Sequence, residues 1–382
     1  MAAKSFIGVV VATLATITGA GSGRASEPLI LSDLGHFFVG GKMTEVKGRL
    51  TMVNHMYVEY MVPAEKKRPY PIILVHGGLR TGTNFTRTLD GKEGWAQYFV
   101  RQGFPVYVVD QVGRGRSPIV EEVYGAPRPR DARGVLSRYA QQEEFKLWPQ
   151  AHLHRKWPGG GGMDDPWTVA LSASQALEIE SFRTQQELNR DALIALVDKI
   201  GPSIILGHSQ AGAFLWPVAD ARPQAIKAIL GIEPNGPPFR AVDFVGAPDW
   251  FKNRSGVDLA YGLTDVPLTY EPPLKNPSEL KFVEQEKPDA PGLVRCFEQV
   301  EPARTLPNLA KIPTLVVMSE ASYHAPYEHC TVKYLQRAGV NTTFLRLADV
   351  GIKGDSHVLM LESNSHAIAG EIVKWLTNLK ME

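Results

Sequence analysis

The sequence predicts an α/β fold: a mainly parallel central sheet with helices on both faces and two cap insertions. Three observations carry that reading. Apolar runs of strand length recur along the chain without polar alternation, as expected of strands buried on both faces. Stretches of helical periodicity separate them, which calls for crossover connections and hence parallel neighbours. The 382 residues are 44% hydrophobic and 21% charged, the composition of a globular chain with ample core. Lys plus Arg number 41 and Asp plus Glu 40, a formal net charge of +1. No overall field therefore draws the chain to nucleic acid or to an anionic membrane.

At the N-terminus, Lys4 precedes an apolar run over 6–17, followed by small residues with candidate cleavage sites after Ala20 or Ala25. This is the pattern of a secretory signal peptide over 1–25. A membrane anchor would need roughly 20 unbroken apolar residues, and Thr13, Thr16 and Thr18 interrupt this shorter run. The mature chain, 26–382, is expected to be a single domain, secreted or periplasmic. In such a compartment the two cysteines, Cys296 and Cys330, are equally open to pairing or to lying buried and unpaired.

Residues 57–62 and 72–75 read as strands, the second a continuous apolar run after Pro71. A helix over 93–102 leads through Gly103 to a strand over 105–109. Further on come a helix over 186–199, a strand over 203–206, a helix over 211–219, strands over 228–232 and 314–318, a last strand over 343–347 and a final helix over 366–379. Two stretches break the rhythm. Residues 118–183 are rich in Pro and Gly and carry Trp148, Trp157 and Trp167; residues 236–307 carry Phe239, Phe244, Trp250, Phe251, Tyr261 and Tyr270. Loops this long inside a compact fold are usually lids or binding surfaces, and both leave from carboxyl ends of strands, where α/β ligand sites form. Most of these aromatics individually are expected to pack the cap onto the body.

The strand over 203–206 runs through Gly207 and His208 into Ser209, Gln210, Ala211 and Gly212, and then into a helix. A sharp strand-to-helix turn of this kind lifts a serine hydroxyl clear of the sheet, and small neighbours are needed where the turn crowds its flanks. A serine needs a base, and the base an orienting acid. His357, in the loop between the last strand and the terminal helix, is the expected base; His76, His208 and His366 are expected to be structural. Glu233, after the strand over 228–232 and followed by Pro234, is the expected acid, with Glu320 beyond the next strand as its rival. Asp355 is too close to His357 in sequence. Donors for a developing oxyanion are expected from the backbone N–H of Gly78 or Leu79, after the strand over 72–75, and of Gln210. The glycine-bearing run over 110–117 lacks a complete dinucleotide-binding spacing and reads as a structural turn.

These motifs, in this order, resemble the α/β-hydrolase superfamily from about residue 57 to the end, interrupted by the two cap stretches. More narrowly, the chain is similar to a small group of secreted bacterial serine esterases. It shares with them the His76-Gly77 pair, Thr81-Gly82, Asp90-Gly91, Gly94-Trp95, the Asp-Gln-x-Gly-Arg-Gly-Arg-Ser run over 110–117 and the Gly354-x-Ser356-His357 loop. The resemblance implies hydrolysis of carboxylic esters through a Ser/Glu/His triad, here Ser209, Glu233 and His357, without metal or organic cofactor. The aromatic insertions suggest an apolar or aromatic ester. A lactonase, a polyester depolymerase or an amidase would use the same triad, and a binding protein on the same fold should lack a triad member. A dehalogenase would carry Asp in place of Ser209. The His152-x-His154 pair with Asp164 and Asp165 is weak support for zinc. A homodimer is left open.

Overall fold

The structure, a computed structural model, describes residues 27–256, 258–379 and 381; the signal-peptide reading falls outside them. Eight strands form one sheet: β1 (Leu31–Val46), β2 (Arg49–Pro63), β3 (Ile72–Val75), β4 (Val106–Asp110), β5 (Ser203–His208), β6 (Ile226–Ile232), β7 (Thr314–Met318) and β8 (Thr342–Arg346). Their spatial order is β1-β2-β4-β3-β5-β6-β7-β8. β1 and β2 pair antiparallel, as do β2 and β4; all remaining neighbours are parallel. β3 and β5 are buried at every residue, which is why they read as unbroken apolar runs.

Helices α1 (Trp95–Arg101), α2 (Phe182–Ile200), α3 (Gly212–Ala221), α4 (Glu328–Arg337) and α5 (Ser365–Asn378) cover the sheet. Two apolar cores result, one on each face. One joins Val75, Ile205, Phe214 and Trp216 to α2; the other joins Leu74, Leu206, Leu230 and Val317 to α1 and α5. β3 and β7 have the expected bounds, most other ends differ by a few residues, and β2 begins at Arg49 where the sequence reading began at 57.

Two elements were not legible. β1 and the first half of β2 form a hairpin that turns at Lys47 and Gly48, both with positive φ (48° and 73°). Much of it stays exposed, with Leu34 62% and Leu50 74% accessible, so neither face imposes the apolar pattern of a core strand. Helix α4 buries Glu328 and Thr331 beside Val332 and Leu335, and polar residues on its inner face mask its periodicity.

The stretch over 118–183 holds short helices, a π-helical turn at Leu136–Ala140 and a two-residue strand pair, Pro127–Arg128 with Glu178–Ile179. The stretch over 236–307 holds two small antiparallel pairs, Val242–Gly246 with Trp250–Asn253 and Phe282–Glu284 with Phe297–Gln299. A disulfide joins Cys296 of the second stretch to Cys330 of α4 (Cα–Cα 5.2 Å). Trp148 is buried, and its indole N–H donates to the Ala321 carbonyl at 3.0 Å, joining the first stretch to the loop after β7.

Candidate active site

Loops from the carboxyl ends of β3, β5, β6 and β7 converge with the loop between β8 and α5. At the end of β5 the chain turns through a 3-10 turn, Ser209–Ala211, into α3, and Ser209 takes a left-handed φ of 54°. A non-glycine residue is held there only when its surroundings fix it. Those surroundings are tight. A Cβ on Gly212 would lie 2.5 Å from the Asn235 nitrogen, and one on Gly207 would lie 2.8 Å from the Leu215 side chain. The Asn235 N–H donates to the Ser209 carbonyl at 2.8 Å, tying the turn to the segment after β6.

His357 and Glu233 meet in the buried interior, with His357 Nδ1 2.6 Å from Glu233 Oε2. Three more donors converge on that carboxylate: the Ser319 N–H at 2.8 Å, the Ser319 hydroxyl at 2.6 Å and the Ser322 hydroxyl at 2.5 Å. Burial pushes the Glu233 carboxyl up, while these hydrogen bonds favour its ionised form. Burial, and then the positive charges of Arg138 and Arg80, hold His357 well below its ordinary value. It is therefore a neutral imidazole at pH 7. Glu320, the rival acid, accepts the Gly354 N–H at 2.7 Å and so braces the loop that carries His357.

Residues outside the sequence reading complete the site. The His324 ring stacks on His357 (centroids 4.4 Å apart, planes at 14°), and His324 Nδ1 lies 2.8 Å from the buried carboxylate of Glu328. Tyr323 packs its ring 4.5 Å from His357. Burial raises its phenol, and the positive charge of Arg138 opposes that shift. The position of 319–324, directly after β7, was the signal available for these residues. His208 points away from solvent, with Nε2 2.9 Å from the His357 carbonyl; His76 Nε2 accepts the Gln111 N–H at 3.0 Å, and His366 contacts the Glu93 carbonyl.

At the 76–79 loop the Leu79 N–H donates to Glu178 Oε2 at 2.9 Å. Of the two donors expected there, Leu79 is thus engaged by a carboxylate, and the Gly78 N–H has no acceptor among the described residues. Gly77 lets the loop press against the elbow, because a Cβ there would lie 3.0 Å from Ser209 Cβ. Glu178 belongs to the first cap stretch. It pairs with the fully buried Arg114 at 2.5 Å and with Arg128 at 2.9 Å. Arg114 also donates to the Gly77 carbonyl, Gln185 and Gln210. The 110–117 run, read as a structural turn, is one that braces the loop beside Ser209.

Ser209 opens into a cavity of about 480 Å³ lined by both insertions: Arg128, Arg138, Tyr139 and Glu180 from the first, Val242, Phe244, Arg254 and Asp258 from the second. The ligating atoms of Glu233, His324 and His357 lie within 4.8 Å of one another. Nδ1 of His357 meets Glu233 and Nδ1 of His324 meets Glu328, so both rings are held by hydrogen bonds to carboxylates. His154 lies 2.9 Å from Glu362, and His152 bonds the Pro149 carbonyl; the pair does not converge on one point as zinc ligands would.

The model of the alpha/beta hydrolase family matches residues 72–371. The chain belongs to that family. It is 39% identical over 341 residues to a probable secreted lipase from Fungal sp. (strain ATCC 74256), covering 89% of this chain and 88% of the relative. The solved structure of a novel bacterial esterase superposes with a TM-score of 0.62 at 23% identity, covering 95% of this chain and 99% of the other, a likeness of fold.

Proposed function

We propose that this alpha/beta hydrolase is an exported serine esterase that cleaves carboxylic esters through an acyl-enzyme. The observation that carries the reading is the strained Ser209 elbow beside a neutral His357 whose Nδ1 meets a carboxylate bearing three further donors. Ser209 bonds His357 Nε2, which takes the hydroxyl proton as Oγ attacks the ester carbonyl. Glu233 fixes the tautomer in which Nδ1 carries hydrogen and stabilises the imidazolium that forms. The N–H groups of Gly78 and Gln210 receive the oxyanion. Collapse breaks the ester C–O bond, His357 protonates the departing alcohol, and water repeats the sequence to free the acid and restore Ser209. Likeness to a probable secreted lipase supports both the ester chemistry and the export reading.

The test is turnover of p-nitrophenyl esters of rising chain length by the mature protein, by Ser209→Ala, and with a chelator present. The expected result is turnover that survives the chelator and falls about a million-fold in Ser209→Ala. Retained turnover in that variant would assign the nucleophile elsewhere.

A further inference from the structure

Three arginines line the cavity, and two of them are neutralised. Arg128 pairs with Glu178, and Arg254 with Asp243 at 2.9 Å. Arg138 has no carboxylate partner among the described residues, although it sits in the cavity wall beside the reacting groups. Its guanidinium lies over the Tyr323 ring, 5.4 Å from the centroid, and that tyrosine shares the cavity wall with Ser209 and packs on His357. Asp243 attracts Arg138 from a distance but is paired with Arg254, and none of the acidic residues of the wall forms an ion pair with Arg138 among the described residues. Glu178 is already shared by Arg114 and Arg128, Asp258 accepts the Ala241 N–H, and Glu180 stays exposed.

The backbone under Arg138 is unusual as well. It lies in the π-helical turn at Leu136–Ala140, and such turns cost stability and tend to mark functional positions. The turn directs Arg138 and Tyr139 to the same cavity, where the Tyr139 ring stacks on His357 at 6.0 Å. The guanidinium thus rests on an aromatic face, keeps solvent access and leaves its planar fork unused. Such a fork matches a carboxylate in two parallel hydrogen bonds, and a single unpaired cation calls for a single negative charge.

We propose that Arg138 binds a carboxylate on the substrate, so that the preferred esters are hemiesters of dicarboxylic acids, their chain lying along the aromatic wall of Tyr139 and Phe244. The proposal rests on the serine esterase reading and narrows its substrate class. Arg138 is a specificity-determining residue here; it takes no part in bond making.

The test compares monoethyl succinate, glutarate and adipate with the same esters carrying a neutral terminal amide in place of the carboxylate, ethanol release being the readout. At least one hemiester should exceed its amide in kcat/KM by tenfold or more. Arg138→Met should reduce that ratio at least tenfold, mainly through KM, Arg138→Lys should restore part of it, and added salt should weaken it. Calorimetric titration of Ser209→Ala with the same compounds gives a reading independent of turnover: tighter binding of the hemiester, lost in the double variant with Arg138→Met. Ratios near one across the series, or a preference that Arg138→Met leaves in place, overturn the proposal. If wild type cleaves both classes equally and Ser209→Ala cleaves neither, the anion site fails while the esterase reading stands. If Ser209→Ala still cleaves, the esterase mechanism itself fails.

Discussion

Replacing Glu233 by Gln separates the charge of the proposed acid from the space it fills. In the native site Oε1 accepts both the N–H and the hydroxyl of Ser319, while Oε2 accepts the Ser322 hydroxyl and faces His357 Nδ1. Glutamine keeps one acceptor oxygen. The two donors of Ser319 will claim it, since one is a backbone N–H that cannot turn away. The amide nitrogen then faces His357 Nδ1, and two donors cannot oppose each other, so the imidazole must move its hydrogen to Nε2. A base protonated at Nε2 cannot accept the Ser209 proton. In enzymes of this kind the wrong tautomer lowers kcat by about 10⁴, equivalent to about 5.4 kcal/mol of transition-state stabilisation. Stability should change little, because the substitution also removes a buried charge; a difference within about 1 kcal/mol is expected. The assay is kcat and KM on a chromogenic ester beside a thermal melt. The expected pattern is a kcat loss of about 10⁴ with KM and Tm nearly unchanged. A loss under about tenfold, with collapse on Glu320→Gln instead, would refute the reasoning.

Three other consequences can be measured. Burial first, and then the positive charges of Arg138 and Arg80, disfavour the imidazolium, and a histidine acts as base only when neutral, so the acid limb of kcat/KM should lie below the ordinary histidine value near 6.5. The neighbouring His208 and His324 are themselves depressed by burial and add no charge, so Arg138→Met should move that limb upward, and an unmoved limb would exclude coupling. Glu178→Ala leaves the buried Arg114 without its carboxylate and should cost about 3–5 kcal/mol in a denaturant titration, with a fall in kcat because the Leu79 N–H loses its anchor. An unchanged midpoint would count against the pair. Reducing the Cys296–Cys330 bridge, which closes a loop of 34 residues, should lower stability by about 4 kcal/mol while turnover at 25 °C persists; loss of turnover at once would tie the bridge to the site.

Much of this protein was legible in one dimension, because the decisive signals are local. Continuous apolar runs can belong only to strands covered on both faces, which gave the strand over 72–75 and the one over 314–318 with the observed bounds. A small-residue turn between a strand and a helix likewise announces Ser209, since the backbone there cannot accept bulk at Gly207 or Gly212. Chain order then offers His357 and a short choice of acids. Choosing between Glu233 and Glu320 needed three dimensions, because both follow strands and only the packing of the β7 loop determines which carboxylate meets His357 Nδ1.

The insertions were legible as irregular segments and no further. Nothing in the spacing of Arg138, Glu178, Tyr323 or His324 links them to Ser209. They meet because long loops return over the strand ends, and their roles rest on contacts between residues up to a hundred or more positions apart. Sequence alone determined the parallel core of the sheet and the turn at Ser209, both properties of short-range pattern and backbone sterics. Tertiary structure alone decided which carboxylate meets His357 Nδ1, which loop N–H a carboxylate engages and which cation of the cavity wall is left without a carboxylate partner among the described residues, because each depends on how distant segments pack.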